Sequence, residues 1–330
     1  METTIGGEAT AAARAHSNIA LIKYWGKRDT ALNIPATGSI SITLDALATD
    51  TTVSFSPALS EDEFWLDGRV ATSQRVGTVL DLVRARAGIA HRASVRSSNN
   101  FPTSAGLASS ASGFAALAVA ASAAAGLSLN SRELSILARR GSGSAARSIF
   151  GGFAQMRSGT SADGSDSFAG QLMVARDWPL SVVVAITQRE AKQTGSTAGM
   201  LSSALTSPFY PAWLTSADED LTAMRDAIAI RDLQRLGELA EHSCLKLHAL
   251  MLSTRPALLY WNAATVASMH AVRDLRASGI PVYFTIDAGP QLKAICGPED
   301  AEAVAAALAS VAGVEEVRTS ALGPAAHRTA

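Results

Sequence analysis

Asp287 closes an apolar run, Pro281 to Ala288 reading PVYFTIDA, and stands just before Gly289 and Pro290. An acid in that position either forms a turn or sets a carboxylate on the floor of a cleft. Lys23 and Lys27, four residues apart, flank Tyr24, Trp25 and Gly26. They can present ammonium groups to an anion beside flat apolar surface, or form an exposed turn with amphipathic lysines. In Gly141 to Ser148, GSGSAARS, glycines and serines lead into Arg147, whose planar fork suits a carboxylate or phosphate; a plain turn between helices accounts for the same string. Pro102 to Ser112, PTSAGLASSAS, precedes the Ala-rich run Gly113 to Ala125. Free N–H groups at a helix start favour negative charge, Gly106 lets backbone approach a phosphate, and Ser104, Ser109, Ser110 and Ser112 are donors. Small residues that let a helix pack closely would look similar. No Lys follows the glycine, so the string is neither GxxxxGK[ST] nor GxGxxG. A second hydroxyl-rich turn, Lys192 to Met200, contains Ser196 and Thr197.

With 330 residues, 48% hydrophobic and 17% charged, and a net charge of -1, the chain has length for one large or two ordinary domains and no electrostatic reason to bind nucleic acid. Its expected partners are small molecules. The N-terminal stretch holds no apolar core of signal-peptide length, and the Ala115 to Ala125 run is too weakly hydrophobic to span a bilayer, so a cytoplasmic protein without a membrane partner is expected. Cys244 and Cys296 lack metal-site spacing and read as reduced packing residues. His248, with no second His or acid at metal spacing, reads as a core histidine.

Period-two alternation marks strands at 39–44, 51–56, 64–66 and 91–97, with Asp67-Gly68 as a hairpin turn before Arg69-Val70. Ala9 to Lys27 begins as a strand. Helical spacing covers Ser73 to Ala87, Ala217 to Ala229, Leu233 to Leu252, Leu258 to Ala277 and Glu299 to Val311, and Asn130 with Glu133 forms a capping box for Ser131 to Arg140. Ser181 to Ile186, Pro281 to Ala288 and Val314 to Ser320 read as strands. Mixed elements with early antiparallel patterning favour α+β over a doubly wound sheet. The domain boundary is expected near residues 180 to 190, giving units 1–185 and 186–330.

PTSAGLASSAS resembles the PxxxGLxSSAS signature of the GHMP kinase superfamily, the group of galactokinase, homoserine kinase, mevalonate kinase and phosphomevalonate kinase. Three further strings, HSNIALIKYWGKRDTALNIPATGSISITL, GSGSAARSIFGGF and DAGP, resemble those of its diphosphomevalonate decarboxylase branch, in the same order from about His16 to Gly297. The resemblance implies two domains, each a mainly antiparallel sheet with helices packed on it, and an active site in the cleft between them. It implies ATP and Mg2+ as cofactors, a homodimer as in many relatives, and mevalonate 5-diphosphate as the small-molecule substrate. The ATP phosphates would meet Asn99, Pro102, Ser104, Ala105, Gly106, Leu107, Ala108, Ser109, Ser110 and Ser112, with Ser110 at the metal. Arg147 would sit at the substrate carboxylate, Ser142 and Ser144 at diphosphate or carboxylate, and Tyr24 and Lys27 at the distal diphosphate. Ser196 and Thr197 would touch substrate phosphate, although some relatives have Arg where this chain has Thr197; Lys192 is an alternative source of that contact. Asp287 would face the 3-hydroxyl, orienting or deprotonating it, with Lys23 or Lys27 helping phosphate departure. Gln291 replaces an Asn of the family string.

The implied reaction is ATP-dependent decarboxylation to isopentenyl diphosphate by way of a 3-phosphorylated species. A relative acting on the monophosphate, a 3-kinase that does not decarboxylate, and a silent ATP-binding protein on the same fold are the competing readings.

Overall fold

The computed structural model describes residues 9–101, 109–190 and 193–329. The phosphate-loop positions Pro102, Ser104, Ala105, Gly106, Leu107 and Ala108 lie outside these, as does Lys192.

Alternating small and polar residues build β1, Ala9–Ile22, whose last residues are buried on both faces. After it come the short strands β2, Lys27–Asp29, and β3, Ile34–Pro35, which pair with each other. The two strands expected at 39–44 and 51–56 are one 18-residue strand, β4, Ser39–Ser56. It stays continuous because its halves have different neighbours on one side while β1 runs along the other. β5, Glu63–Leu66, and β6, Arg69–Val70, form the expected hairpin, with Asp67 and Gly68 at φ 50° and 76°. Positive φ at both central residues is the condition for a turn whose twist matches the strands.

Ser73 caps α1, Gln74–Ala87, and β7, Arg92–Asn99, follows. Next is α2, Ser109–Ala124, buried nearly all round and in contact with β1 and β4; only Ala- and Ser-sized side chains let a helix lie that close to a sheet. The Asn130/Glu133 capping box starts α3, Ser131–Gly141, and the one-turn α4, Ala145–Ser148, carries Arg147. β8, Phe153–Met156, β9, Ala169–Met173, and the last strand, β14, His327–Thr329, complete an eight-stranded sheet in the order β14-β1-β4-β7-β5-β6, with β8 on β4 and β9 on β8. Only β5 and β7 run parallel within it.

β10, Ser181–Ile186, opens the second half. Four helices follow: α5, Ser196–Thr206; α6, Tyr210–Thr215; α7, Ala217–Ile230; and α8, Leu233–Leu252. The helix expected from Leu258 begins later, as α9, Ala263–Ala277, because Asn262 accepts from Thr265 N and fixes the N-terminus there. β11, Val282–Ile286, β12, Leu292–Cys296, α10, Ala301–Ala309, β13, Glu316–Ala321, and β14, His327–Thr329, end the described chain. The second sheet is antiparallel, ordered β11-β12-β10-β13.

A boundary after residue 185 falls inside β10, which belongs wholly to this second sheet, and β14 returns to the first sheet beside β1. One core joins the halves: Ile19, Leu21, Ile40 and Ile42 pack in the same cluster as Val182, Val184, Leu236 and Ile295. Cys244 and Cys296 are free and buried, as the sequence suggests.

Candidate active site

A cavity of about 610 Å3 lies between the halves, lined from one side by residues 18–147 and from the other by residues 195–288. Among the described residues, Lys23, Lys27, Arg75 and Arg147 reach it together with one carboxylate, Asp287, so four cations against one anion leave three positive charges in excess. Ordinary protein surface mixes the two signs; such an excess inside a concavity selects anionic ligands.

Lys23, at the end of β1, is 1% exposed and donates to Asp287 Oδ1 at 2.7 Å and to Ala20 O at 2.8 Å. Asp287 sits one residue beyond β11, at the mouth of the second sheet. Burial alone would push its carboxyl up, but the Lys23 and Lys293 charges, the Lys23 hydrogen bond and Arg147 bring it down to about 2. Arg147 is 2% exposed; Nη1 donates to Ser39 Oγ at 2.6 Å and Nη2 to Asn18 Oδ1 at 3.1 Å, while Nε has no partner among the described residues. Burial lowers its guanidinium to about 10, which still leaves it charged. A buried guanidinium held by neutral oxygens, with no carboxylate in ion-pair reach among the described residues, is suited to receive an anion from outside the chain.

The same 18–147 side also carries a tightly packed polar cluster. Ser142 Oγ lies 3.2 Å from both Ser110 Oγ and Ser144 Oγ. A Cβ at Gly143 would come within 2.6 Å of Tyr24 Oη, so glycine is what allows the tyrosine in. Tyr24 Oη is buried without a hydrogen-bond partner among the described residues, and burial raises its pKa. Lys27 Nζ lies 3.5 Å from Thr197 Oγ1, and burial, with Arg75 nearby, lowers the lysine pKa. Trp213 Nε1 donates to Trp25 O at 3.0 Å, fixing the Tyr24 to Lys27 turn to α6.

A second cavity of about 340 Å3 adjoins the first, sharing Arg75, Ser109 and Ser110, and is lined largely by apolar residues such as Phe64, Leu66, Phe114 and Leu117. Asn99 lines it and accepts from Thr49 Oγ1 at 2.6 Å.

Of the expected site residues, Asp287, Lys23, Lys27, Tyr24, Ser142, Ser144, Arg147, Ser196, Thr197, Ser109 and Ser110 all line the main cavity. Ser112 does not: it is fully buried and its hydroxyl lies 2.7 Å from Thr49 Oγ1, tying α2 to β4, so its expected phosphate contact gives way to a packing bond one turn inside the helix. Gln291 also stays out of the cavity; its Oε1 accepts from Thr187 N at 2.7 Å and its Nε2 donates to Gln188 O. The sequence reading missed Asn18, Asn33 and Arg75 in the lining. Asn18 stands inside the string quoted above, two residues after His16, whereas Arg75 at the start of α1 gives no local signal. His248 is a buried core histidine as expected: Trp261 Nε1 donates to its Nε2 at 3.2 Å, and burial lowers its pKa to about 3.

Residues 15–169 match the diphosphomevalonate decarboxylase-like N-terminal domain, and residues 182–327 the mevalonate 5-diphosphate decarboxylase C-terminal domain. The chain belongs to the diphosphomevalonate decarboxylase family. It is similar to the diphosphomevalonate decarboxylase of Candida albicans, 38% identical over 298 residues that cover 85% of this chain and 82% of that one. Among solved structures it is similar to the mevalonate diphosphate decarboxylase from Enterococcus faecalis, with 42% identity, a TM-score of 0.89 and coverage of 98% and 99% of the two chains. A structure in complex with MVAPP, AMPPCP and magnesium gives 42% identity, a TM-score of 0.91 and the same coverage. The expected GHMP-kinase-like α+β architecture, with its site in the cleft between two sheets, is the architecture present.

Proposed function

We propose that the protein converts mevalonate 5-diphosphate and ATP to isopentenyl diphosphate, ADP, phosphate and CO2. The observation that carries this reading is Arg147, a buried cation with no ion-pair partner among the described residues, which lines the cavity together with the Asp287–Lys23 pair. The named relatives, and the neighbour solved with MVAPP and AMPPCP, support it.

A tertiary hydroxyl is a poor nucleophile and hydroxide a poor leaving group, so phosphorylation of the 3-oxygen comes first. Asp287, ionised and carrying the Lys23 hydrogen bond, accepts from the 3-hydroxyl and aims it at the γ-phosphorus. A carboxyl at about 2 is a weak base, which favours orientation over early proton abstraction. When the new phosphate leaves, it takes the C–O bonding pair with it and positive charge grows at the tertiary carbon. Electrons of the adjacent carboxylate's C–C bond then close the double bond and CO2 departs. Lys23, facing the leaving oxygens, stabilises their charge. Arg147 fixes the carboxylate through anchors on Ser39 and Asn18 that do not depend on the substrate. Tyr24, Lys27, Ser142, Ser144, Ser196 and Thr197 hold the distal diphosphate, whose binding energy orients the reacting centre. The Lys27–Thr197 contact supports a diphosphate over a monophosphate, since it sets a cation where some relatives have an arginine.

For magnesium, the described lining has hydroxyls and one carboxylate, and no cluster of three acids, histidines or cysteines occurs among the described residues. That donor set fits an ion brought by nucleotide phosphates, with Ser110 as a neutral oxygen ligand. When bound, the ion neutralises charge on the phosphoryl oxygens. The second cavity, partly apolar, would take the adenosine, and Arg75, which lines both cavities, would meet the nucleotide where they join.

No described helix is long and apolar enough to cross a membrane, which supports a cytoplasmic enzyme; a homodimer is proposed on the family resemblance. Incubation with ATP, Mg2+ and either mevalonate 5-diphosphate or the 5-phosphate, following ADP and CO2 together, tests the reading. Equal ADP and CO2 from the diphosphate alone, abolished by Asp287→Ala, is expected. ADP without CO2 would make it a kinase, and neither product from either substrate would sink the proposal.

A further inference from the structure

The carboxylate at the centre of the site has a second cation that the cavity does not see. Lys293 lies on β12 in register with Thr285 of β11, two residues before Asp287. Its side chain is 1% exposed, among the largest fully buried side chains of the molecule, and is not part of the cavity lining. Its Nζ stands 3.6 Å from Asp287 Oδ2 and donates to Gln291 O at 3.2 Å. Lys23 takes the other oxygen, Oδ1, at 2.7 Å. The two carboxylate oxygens are thus each assigned to a different lysine, one facing the ligand space and one behind it.

We infer that Lys293 is a positioning residue that holds the Asp287 carboxylate from behind, leaving its cavity face to the substrate hydroxyl. Taking an ammonium group out of water is costly, and a Met or Leu would fill a core position on β12 without that cost. The Asp287 charge offsets much of it, so Lys293 and Asp287 stabilise each other, and the carboxylate cannot turn away from the cavity without abandoning a buried cation. The other titratable groups facing Asp287 are Lys23 from β1, Arg147 from α4, and His248 and Cys244 from α8. Burial holds the last two neutral, with His248 lowered to about 3 and the Cys244 thiol raised to about 11. Of the three remaining cations, Lys23 and Arg147 also line the ligand space, and Lys293 is the one whose loss leaves that lining intact. The same geometry keeps Asp287 ionised, with its carboxyl at about 2.

This inference rests on the decarboxylase reading, and its test separates the two. Wild type, Lys293→Met, Asp287→Asn and the double variant are compared in steady-state turnover from about pH 4 to 8 and in thermal melts. Lys293→Met should lower kcat by about 30-fold or more while KM for mevalonate 5-diphosphate stays within about threefold, because Lys293 does not touch the ligand space. A new acid limb, absent from wild type, should enter the profile between about pH 4 and 6 as the carboxyl loses one of its cations. A residue that merely packs would lower the melting temperature and leave the profile where it was, and that result overturns the inference. So does a rise in KM with kcat unchanged. Should Lys293→Met fold poorly, the double variant decides: recovery of melting temperature when Asp287 is also neutralised supports the coupling, and additive losses refute it. A wild type that yields no CO2 would sink the decarboxylase reading, with the melting cycle still deciding whether the two side chains are coupled.

Discussion

The two ends of the cleft are built on opposite principles. At one, the buried cations Lys23 from β1 and Arg147 from α4 line the space with the half-buried Asp287 at the end of β11, and Lys293 of β12 stands behind; Lys23, Asp287 and Arg147 are held by bonds to distant parts of the chain, Lys293 by its own hairpin. At the other, Phe64, Leu66, Phe114 and Leu117 offer apolar surface with one cation, Arg75, whose guanidinium stacks 5.1 Å over Phe114 and donates to Gly141 O. Buried charge discriminates steeply, because a missing partner leaves a desolvated ion; apolar surface grips in proportion to area and tolerates change. The proposed function accordingly puts the chemistry at the first end and nucleotide retention at the second.

Replacing Arg147 with Met should break the contrast most. The carboxylate of the substrate would enter an uncompensated pocket, and we expect kcat/KM to fall by about a thousandfold or more, read by ADP and CO2 release. The fold should survive, since the lost partners, Ser39 and Asn18, are neutral. Lys27→Ala, at the diphosphate end of the charged wall, should raise KM for the diphosphate by about ten- to thirtyfold and narrow its preference over the monophosphate. Phe114→Ala tests the apolar end: KM for ATP should rise by about three- to tenfold with KM for mevalonate 5-diphosphate unchanged, and a large effect on kcat would show that the ends are not separable.

The smallest effect is one of pH. His248 packs beneath the charged end, its ring against Trp261, and is neutral in the folded protein, with its pKa at about 3 against an ordinary 6.5. Below about pH 6.5 the unfolded chain takes up a proton that the folded chain refuses, so stability should fall as pH drops from there toward 3. Melting temperatures between about pH 7 and 5 should decline by a few degrees, and His248→Gln should flatten that slope. An unchanged slope would place the acid sensitivity elsewhere.

Local chemistry was legible wherever a residue answers to its immediate neighbours. The Asp67-Gly68 turn and the Asn130/Glu133 capping box follow from backbone requirements met within four residues. Tyr24, Lys27, Ser142, Ser144 and Arg147 stand in strings dense enough to read as a site, and all reach the cavity. Ser112 shows the limit of that method: it has the same residue type as Ser109 and Ser110, yet sits two residues past Ser110, about 200° round the helix, and bonds Thr49 of β4. Helix phase decided its role. The unbroken β4 was likewise set by tertiary neighbours, whereas the late start of α9 answers to a local cap, Asn262 with Thr265, that the helical periodicity overran.

By itself, then, the sequence determined the element types, the small-residue helix, the anion-seeking strings and the acid at the end of an apolar strand. Each is a property of residue type and short-range spacing. Only the tertiary structure decided that Asp287 meets Lys23, 264 positions earlier, that Lys293 stands behind it, and that Arg75 borders both cavities. The physical reason lies in burial: a charge becomes costly, and therefore informative, only once the fold removes its water, and which charges lose their water is fixed by contacts between residues far apart in the chain.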